Sequence, residues 1–317
     1  MALKVTALAG GVGGAKLLDG LAAVLPPGHL TAVVNTGDDF DHLGLRICPD
    51  LDTVLYTLAG IANPKTGWGR VNESWNFMAS VRDYGGADWF QLGDKDVALH
   101  VLRTQALRQG TPLSRFTQRM SQALGVTVPI LPMSDDPVPT VVETGEGDLP
   151  FQTYFVARGC EPEVKGFRFE GASRARPAPG VLESLLQADL VVLCPSNPWV
   201  SLDPILAVPG VREAVASRPV VGVSPIVGGK ALKGPAAKMF QELGLKAEAG
   251  AVAEHFEDLL DGFVIDNQDR DQADSVRDMG IQTLVTATVM FDVAARASLA
   301  EDVLGLGRTL TRMETIA

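Results

Sequence analysis

Cysteine is scarce in this sequence. Cys48, Cys160 and Cys194 are its three cysteines, and no two form a CxxC pair. That spacing excludes a disulfide framework and a zinc site, and it fits a reducing, cytoplasmic compartment. Histidine is equally thin, with four in 317 residues, and His29, His42 and His255 read as ordinary surface or core histidines. There is no HExxH, no GxSxG elbow and no Cys/His pairing of the protease kind. Positive charge is in deficit: 27 Lys and Arg stand against 38 Asp and Glu, for a net charge of −11 and a pI near 4.9. A nucleic acid polymer is therefore excluded as a partner, since backbone binding needs a basic surface. A small anionic ligand stays compatible, because local dipoles and metal ions override net charge. No apolar run approaches the roughly 20 residues of a membrane span. Lys4 and the apolar stretch after it break at Gly10-Gly11, which reads as a first strand and not a signal peptide.

What is present is an ordinary globular composition, 46% hydrophobic and 21% charged, which excludes wholesale disorder. A chain this long buries a large core without staples, as one large domain or two intimate ones. Residues 4–8 read as a strand. Residues 15–25 carry apolar side chains at helical spacing, ended by Pro26-Pro27-Gly28, and residues 30–35 form a second buried-type strand. This is a βαβ unit, with parallel strands and a right-handed crossover. Residues 190–194, 220–224, 262–265 and 283–285 repeat the strand signal, with helical patterns over 234–243 and 290–304. The expected fold class is therefore α/β, a Rossmann-like doubly wound, mostly parallel sheet. The middle differs. Residues 63–125 look mostly helical and carry Trp68, Trp75 and Trp89, expected as interior packing, with stacking on a flat ligand as the alternative. Residues 128–170 read as short strands and turns, including 140–143 and 151–156. The expected organisation is a single domain, 1–317, with its core at about 1–62 and 180–317. A helical plus small antiparallel lid, about 63–179, is inserted and returns through the Pro/Arg-rich stretch 174–179.

Several segments carry chemistry. Gly10-Gly11-Val12-Gly13-Gly14-Ala15-Lys16 follows the first strand, where glycines let backbone N–H groups approach phosphate and a helix N-terminus adds positive potential. It meets neither GxGxxG nor Walker A, since Lys16 falls on the last glycine position and no Gly-Lys-Ser/Thr follows. A tight strand–helix turn without ligand is the plain alternative. Asn35-Thr36-Gly37-Asp38-Asp39 follows the second strand, and Pro49-Asp50-Leu51-Asp52-Thr53 opens a helix. Each reads either as a turn or cap or as an oxygen-ligand set for Mg²⁺. Asp38, Asp39, Asp50 and Asp52 in one short connection are costly together unless a cation or solvent screens them, which favours the metal reading. Gln91-Leu92-Gly93-Asp94-Lys95-Asp96 precedes a helix that places His100, Arg103 and Thr104 near one face, either for a polar ligand or as a capped surface helix. Pro132-Met133-Ser134-Asp135-Asp136-Pro137 reads as a pinned turn with solvated acids. Cys194-Pro195-Ser196-Asn197-Pro198 and Ser224-Pro225-Ile226-Val227-Gly228-Gly229-Lys230 are stiff polar loops after later strands. Ser196, Asn197 and Ser224 are candidate donors to phosphate, because the carboxyl edge of an open α/β sheet is where ligands bind.

Taken together, and nearly end to end, these segments resemble the 2-phospho-L-lactate transferase family of coenzyme F-420 (deazaflavin) biosynthesis. The resemblance rests on residues 10–16, 35–39, 49–53, 93–96, 132–137, 195–198 and 224–230, with Lys233-Gly234-Pro235. Arg46-Ile47-Cys48 and Gly67-Trp68-Gly69 are similar to its bacterial branch. The resemblance implies transfer of a phosphorylated three-carbon acid, phospholactyl or phosphoenolpyruvyl, from a guanylyl diphosphate donor to the alcohol of the deazaflavin FO, with release of GMP. It further implies Mg²⁺, a Rossmann-like core and a homodimer. Asp38 and Asp52 match the family's metal and deazaflavin positions, Asp52 being the one credited with contacting FO, and a second contact position falls near Gln91. Under this reading Asp38 and Asp52 are the catalytic and metal residues. The expected substrate-binding set is Gly11, Gly13, Gly14, Lys16, Asn35, Asp39, Asp50, Asp52, Gln91, Asp94, Ser134, Asp135, Ser196, Asn197 and Ser224.

Two other readings compete. One is a nucleotide-sugar-binding regulator of related fold without transferase activity. Its second-strand loop carries two Asp and then a Gly-Gly-Ser-Ser-Gly-Arg stretch, whereas Asp38-Asp39 is followed here by Phe40-Asp41-His42-Leu43. The other is a nicotinamide dehydrogenase, against which the failed fingerprint and the doubled acid both count.

Overall fold

The computed structural model describes residues 2–231 and 234–314, the last three as helical backbone only. Lys233 of the Lys233-Gly234-Pro235 motif lies outside the described residues. Strand β1 (Val5–Ala9) is buried along its whole length, as the near-continuous apolar run of a central parallel strand requires. Gly10 turns the chain into helix α1 (Gly11–Val24), and β2 (Leu30–Val34) returns parallel to β1 in the register Val5↔Leu30 to Ala9↔Val34.

Seven parallel strands form the main sheet. From one edge they are Gln282–Thr286, Gly262–Asp266, Val220–Val223, Leu190–Leu193, β1, β2 and Ile130–Pro132. Read in chain order, the sheet winds outward from β1 through β2 to Ile130–Pro132, then restarts on the other side of β1 at Leu190–Leu193. That reversal is the topological switch point of a doubly wound sheet, and the crevice between β1 and Leu190–Leu193 is where such sheets bind ligands.

Side chains alternate between two apolar layers, as the strand period dictates. Leu8, Val33, Val191, Leu193 and Phe263 pack into one layer. Ala7, Ala9, Ala32, Val34, Val192 and Val264 pack into the other, beneath α1, helix α2 (Pro49–Leu58) and the C-terminal helix Val293–Glu314. Contact there is close. A Cβ on Gly20 of α1 would stand 2.2 Å from the Arg296 carbonyl oxygen.

The middle of the chain departs from expectation in three respects. Ile130–Pro132 pairs in parallel with β2, so a core strand lies inside the span read as an insertion. Residues 151–156, expected as a strand, instead carry a short helical turn over Thr153–Ala157. The antiparallel piece is built from Thr140–Thr144 between Gly147–Pro150 and Val164–Phe169. Trp68 and Trp75, expected as interior, are 47% and 44% exposed, while Trp89 packs 5.0 Å from the His42 ring and 5.7 Å from Phe40. Helices α3 (Asn76–Asp83), α4 (Asp94–Arg108) and α5 (Leu113–Ala123) fill the helical stretch.

Candidate active site

The switch-point crevice is closed at its base by backbone meeting backbone. A Cβ on Gly13 would stand 2.3 Å from the Pro195 carbonyl oxygen, and one on Gly14 would stand 2.8 Å from the Ser196 hydroxyl. These glycines therefore seat α1 against the loop after Leu190–Leu193. Gly11 is different: its φ of +62° is the left-handed region that glycine adopts freely, and a Cβ there would meet only Asp50 Oδ1 at 3.8 Å. The Ser196 hydroxyl accepts from Gly10 N–H at 3.1 Å and donates to the Gly10 carbonyl at 2.8 Å, which locks the two loops together. Gly10 has no side chain to cap α1, no acid lies in its first turn, and its first amide, Gly11 N–H, is taken by Asp50 from α2. The next amides of α1 have no side-chain acceptor from the helix itself and carry the positive end of its dipole.

Four buried carboxylates, Asp38, Asp39, Asp50 and Asp52, lie in the second-strand loop and the first turn of α2, and Asp50 reaches α1. Asn35 organises two of them. Its amide donates to Asp38 Oδ1 at 3.1 Å, Asp50 Oδ2 at 3.0 Å and the Val200 carbonyl at 3.0 Å, while its own oxygen accepts from Gly37 N–H at 2.8 Å. Asp50 also accepts from Gly11 N–H at 2.7 Å, so the second-strand loop, α2 and the Gly-rich turn meet on one side chain. Burial, then the charge of Asp50, pushes the Asp38 carboxyl well above the ordinary carboxylate range. Burial raises Asp50 to about 6, against the pull of Asn35 and Gly11. Asp39 is raised to about 7 by burial, opposed chiefly by Arg46. Both Asp39 oxygens are buried without a hydrogen-bond donor, and Arg46 Nη2 lies 3.9 Å away. Asp52 differs from all three, because Arg103 holds it in a two-pronged ion pair, with Nη1 on Oδ2 at 3.1 Å and Nη2 on Oδ1. Among the described residues no three His, Cys, Asp or Glu side chains already stand as a ligand cluster.

The Gly-rich start of α1 and the Asp38–Asp50 pair thus meet at the carboxyl edge of the sheet, where open α/β sheets bind ligands. The model of the 2-phospho-L-lactate transferase family CofD matches residues 5–300. The chain belongs to the CofD family. It is 44% identical to the phosphoenolpyruvate transferase of Kitasatospora aureofaciens over 96% of this chain and 98% of that protein. It is 45% identical to the phosphoenolpyruvate transferase of Streptomyces griseus over 96% and 98%. It is 40% identical to the 2-phospho-L-lactate transferase of Methanosarcina acetivorans over 96% and 99%. In fold it is similar to a crystal structure of a UPF0052 family member from Bacillus halodurans, with a TM-score of 0.66, 18% identity, and coverage of 96% of this chain and 99% of that one. The chain is thus a CofD-family transferase, and the doubly wound sheet fits that assignment.

Several other expected CofD substrate contacts are engaged internally in this structure. Lys16 Nζ donates to the Met290 carbonyl at 2.7 Å. Asn197 accepts from Trp199 and Val200 N–H, and so caps the turn that follows. Ser224 folds onto Ile226, accepting from its N–H and donating to its carbonyl. Ser134 donates to the Arg176 carbonyl, and Gln91 donates to the Asp88 carbonyl. Asp94 accepts from Ser74, Asn76 and Phe77 at the start of α3, and the Ser74 and Phe77 hydrogen bonds hold its carboxyl down at about 2. Asp135 accepts from the Ser114 N–H and hydroxyl, both at 2.7 Å, which caps α5 and was expected as a free solvated acid or a substrate contact. Asp135→Ala is expected to lower stability by about 1–2 kcal/mol, the cost of a lost cap, while turnover persists. Chemical denaturation and a steady-state assay measure the two halves.

The helical face of His100, Arg103 and Thr104 is buried and not a solvated surface. It lies against Asp52 and Arg46, with Arg46 N–H donating to Thr104 Oγ1 at 2.8 Å. Burial lowers His100 to about 4, so its ring is neutral. On the same helix, burial raises Asp96 to about 7. The sequence marked this face by its spacing but did not reveal its partner.

The raised carboxylates set a pH dependence. A carboxyl with a folded pKa above its unfolded value binds its proton more tightly when folded, so it stabilises below the unfolded value and that stability is lost as pH rises through the folded one. For Asp39, Asp50 and Asp96 the window runs from about 4 to about 7. The metal-free protein is therefore expected to melt several degrees lower at pH 8 than at pH 5.5, and Asp39→Asn should flatten that slope. Thermal denaturation in chelator across this range provides the check. An equal slope in the variant would remove Asp39 as a contributor.

Proposed function

We propose that this protein transfers a phosphorylated three-carbon acid, phospholactyl or phosphoenolpyruvyl, from a guanylyl diphosphate donor to the primary alcohol of the deazaflavin FO, with GMP as leaving group. The observation that carries the reading is the pairing of Asp38 with Asp50 through Asn35, at the open N-terminus of α1, in a chain of the CofD family. Two buried acids that share one amide repel each other unless a cation joins them, and Mg²⁺ favours a site of one or two carboxylates completed by phosphate oxygens and water. Asp38 and Asp50 would hold it. This differs from the expected Asp38–Asp52 pair, because the charge of Asp52 is already balanced by Arg103, whereas Asp38 and Asp50 share only the neutral Asn35. Mg²⁺ bound there supplies neutralisation of the donor's phosphate charge.

The chain's own groups do the positioning. The α1 amides hold the donor phosphates beside the crevice. Asp50, bonded to Gly11, ties the acid pair to that phosphate seat. Asp52 accepts a hydrogen bond from the FO alcohol and points its oxygen at phosphorus. The new oxygen–phosphorus bond forms as the anhydride bond to GMP breaks, and the alcohol proton leaves to solvent. Displacement of this kind is governed by alignment and charge neutralisation more than by covalent help. Incubation of the protein with FO, Mg²⁺ and each guanylyl donor, followed by mass spectrometry, tests the reading. GMP and a deazaflavin phosphodiester are expected, and the product mass distinguishes a lactyl from an enolpyruvyl group. Absence of both products with every donor would sink it.

A further inference from the structure

Helices α2 and α4 meet at a polar seam that joins Asp52 to Arg103, a residue to which the transfer reaction as described gives no role. Asp52 lies in the first turn of α2, and Arg103 lies 51 positions later on α4. The Arg103 side chain is 3% exposed and that of Asp52 is 9%. Besides its two contacts to Asp52, Arg103 Nη1 reaches the Arg46 carbonyl at 3.3 Å and His100 Nδ1 at 3.3 Å, and its Cζ lies 5.6 Å from the centre of the Phe116 ring. The guanidinium is therefore fixed from several sides, and it holds the Asp52 carboxylate by both oxygens. That fork geometry belongs to arginine, since a lysine ammonium offers a point charge on a flexible stem.

The distribution of charge is selective. Asp38, Asp39, Asp50 and Asp52 are all buried. Asp38 and Asp50 share only Asn35, and Asp39 has Arg46 at 3.9 Å without a hydrogen bond. The buried guanidinium stands on Asp52. A staple between two helices would serve as well anywhere along α2. This one grips the turn that also carries Asp50, whose other oxygen receives Gly11 N–H.

We propose that Arg103 is a positioning residue of the transfer reaction. Acting through Asp52, it fixes that carboxylate as an oriented acceptor for the substrate alcohol, with His100 as the brace that fixes Arg103. A carboxylate gripped on both oxygens still has lone pairs for one more O–H donor, but it can no longer swing. The inference rests on the transferase reading, in which Asp38 and Asp50 face the phosphates and Asp52 faces the alcohol, and adds the group that orients Asp52.

Arg103→Lys tests it, with wild type alongside and FO and donor varied separately. The lysine keeps the charge and loses the fork. The KM for FO should rise roughly 10–100-fold, the scale of one charge-assisted hydrogen bond, while the donor KM stays at the wild-type value. Unchanged FO kinetics in a folded Arg103→Lys variant, or equal losses for both substrates, would overturn the proposal. If that variant does not fold, His100→Ala carries the test, because it leaves the ion pair and removes only the brace. A rise in FO KM alone, reversed by His100→Asn, supports the role, and an unchanged FO KM overturns it. A wild-type enzyme that does not convert FO would sink the transferase reading instead, so the two failures are distinguishable.

Discussion

Asp38→Asn is expected to abolish turnover, by at least on the order of 10²–10³-fold, the scale lost with one preorganised electrostatic group, while leaving the fold intact. The two halves have separate physical causes. In the folded chain Asp38 takes one amide hydrogen bond from Asn35, and the asparagine oxygen keeps it. The substitution removes a buried negative charge that faces Asp50 and, more weakly, Asp39. Removing one member of a buried like-charge pair relieves repulsion. The melting temperature of the metal-free variant at pH 8 should therefore equal or exceed that of wild type.

The same charge is what a cation would use. Wild type should gain thermal stability on addition of Mg²⁺, as any ligand of the native state confers by mass action, and Asp38→Asn should lose most of that gain. Product formation and Mg²⁺-dependent melting thus report on one side chain by independent routes. Near-normal turnover in Asp38→Asn, or an undiminished Mg²⁺ shift, would remove Asp38 from the site. Loss of the fold would show that the Asn35–Asp38–Asp50 arrangement is structural first.

The outline of this site was legible in the sequence because its parts sit in local patterns. Gly10–Lys16 follows a run of buried strand residues, and Asn35–Asp39 follows another, so both loops had to reach the same sheet edge. The two-sided winding was legible from the strand spacing for the same reason. Long-range pairing was not. That Asp52 would be gripped by Arg103, or Ser114 capped by Asp135, depends on how helices of the middle segment settle on the core. No periodicity encodes such contacts. Ile130–Pro132 is three residues long, too short to show a period, and it joins the sheet through its pairing with β2. The polar loop residues Ser196, Asn197 and Ser224 read as ligand donors from residue type and from their place at the carboxyl edge of the sheet. Neither reveals that backbone groups already engage these side chains, Gly10 for Ser196, Trp199 and Val200 for Asn197, and Ile226 for Ser224.

Gly13→Ala is expected to cost both stability and activity, and it is the sharpest test of the idea that the Gly-rich turn is shaped by packing as much as by phosphate. Gly13 lies within α1, so alanine suits its backbone and by propensity alone would stabilise the helix by roughly 1 kcal/mol. Against that stands the Pro195 carbonyl oxygen, 2.3 Å from the new Cβ, with the Pro195 carbonyl carbon at 3.5 Å. The obstacle is backbone and not the end of a flexible side chain, so relief requires α1 and the Cys194–Asn197 stretch to move apart. Overpacking of this kind costs about 1–3 kcal/mol or more, which outweighs the propensity gain. The movement would also strain the Ser196–Gly10 hydrogen bonds and shift the Gly11 N–H away from Asp50. A displacement near 1 Å at the phosphate seat is enough to lower turnover about 10²-fold. Gly11→Ala provides the contrast. Its Cβ meets only Asp50 Oδ1, at an ordinary 3.8 Å, but it carries the φ of +62°, so its penalty is backbone strain without separation of the two loops. Melting temperature and kcat measured for both variants separate the cases. If Gly13→Ala melts at or above wild type with normal kcat, the close approach of α1 to Pro195 is not what holds the crevice in shape.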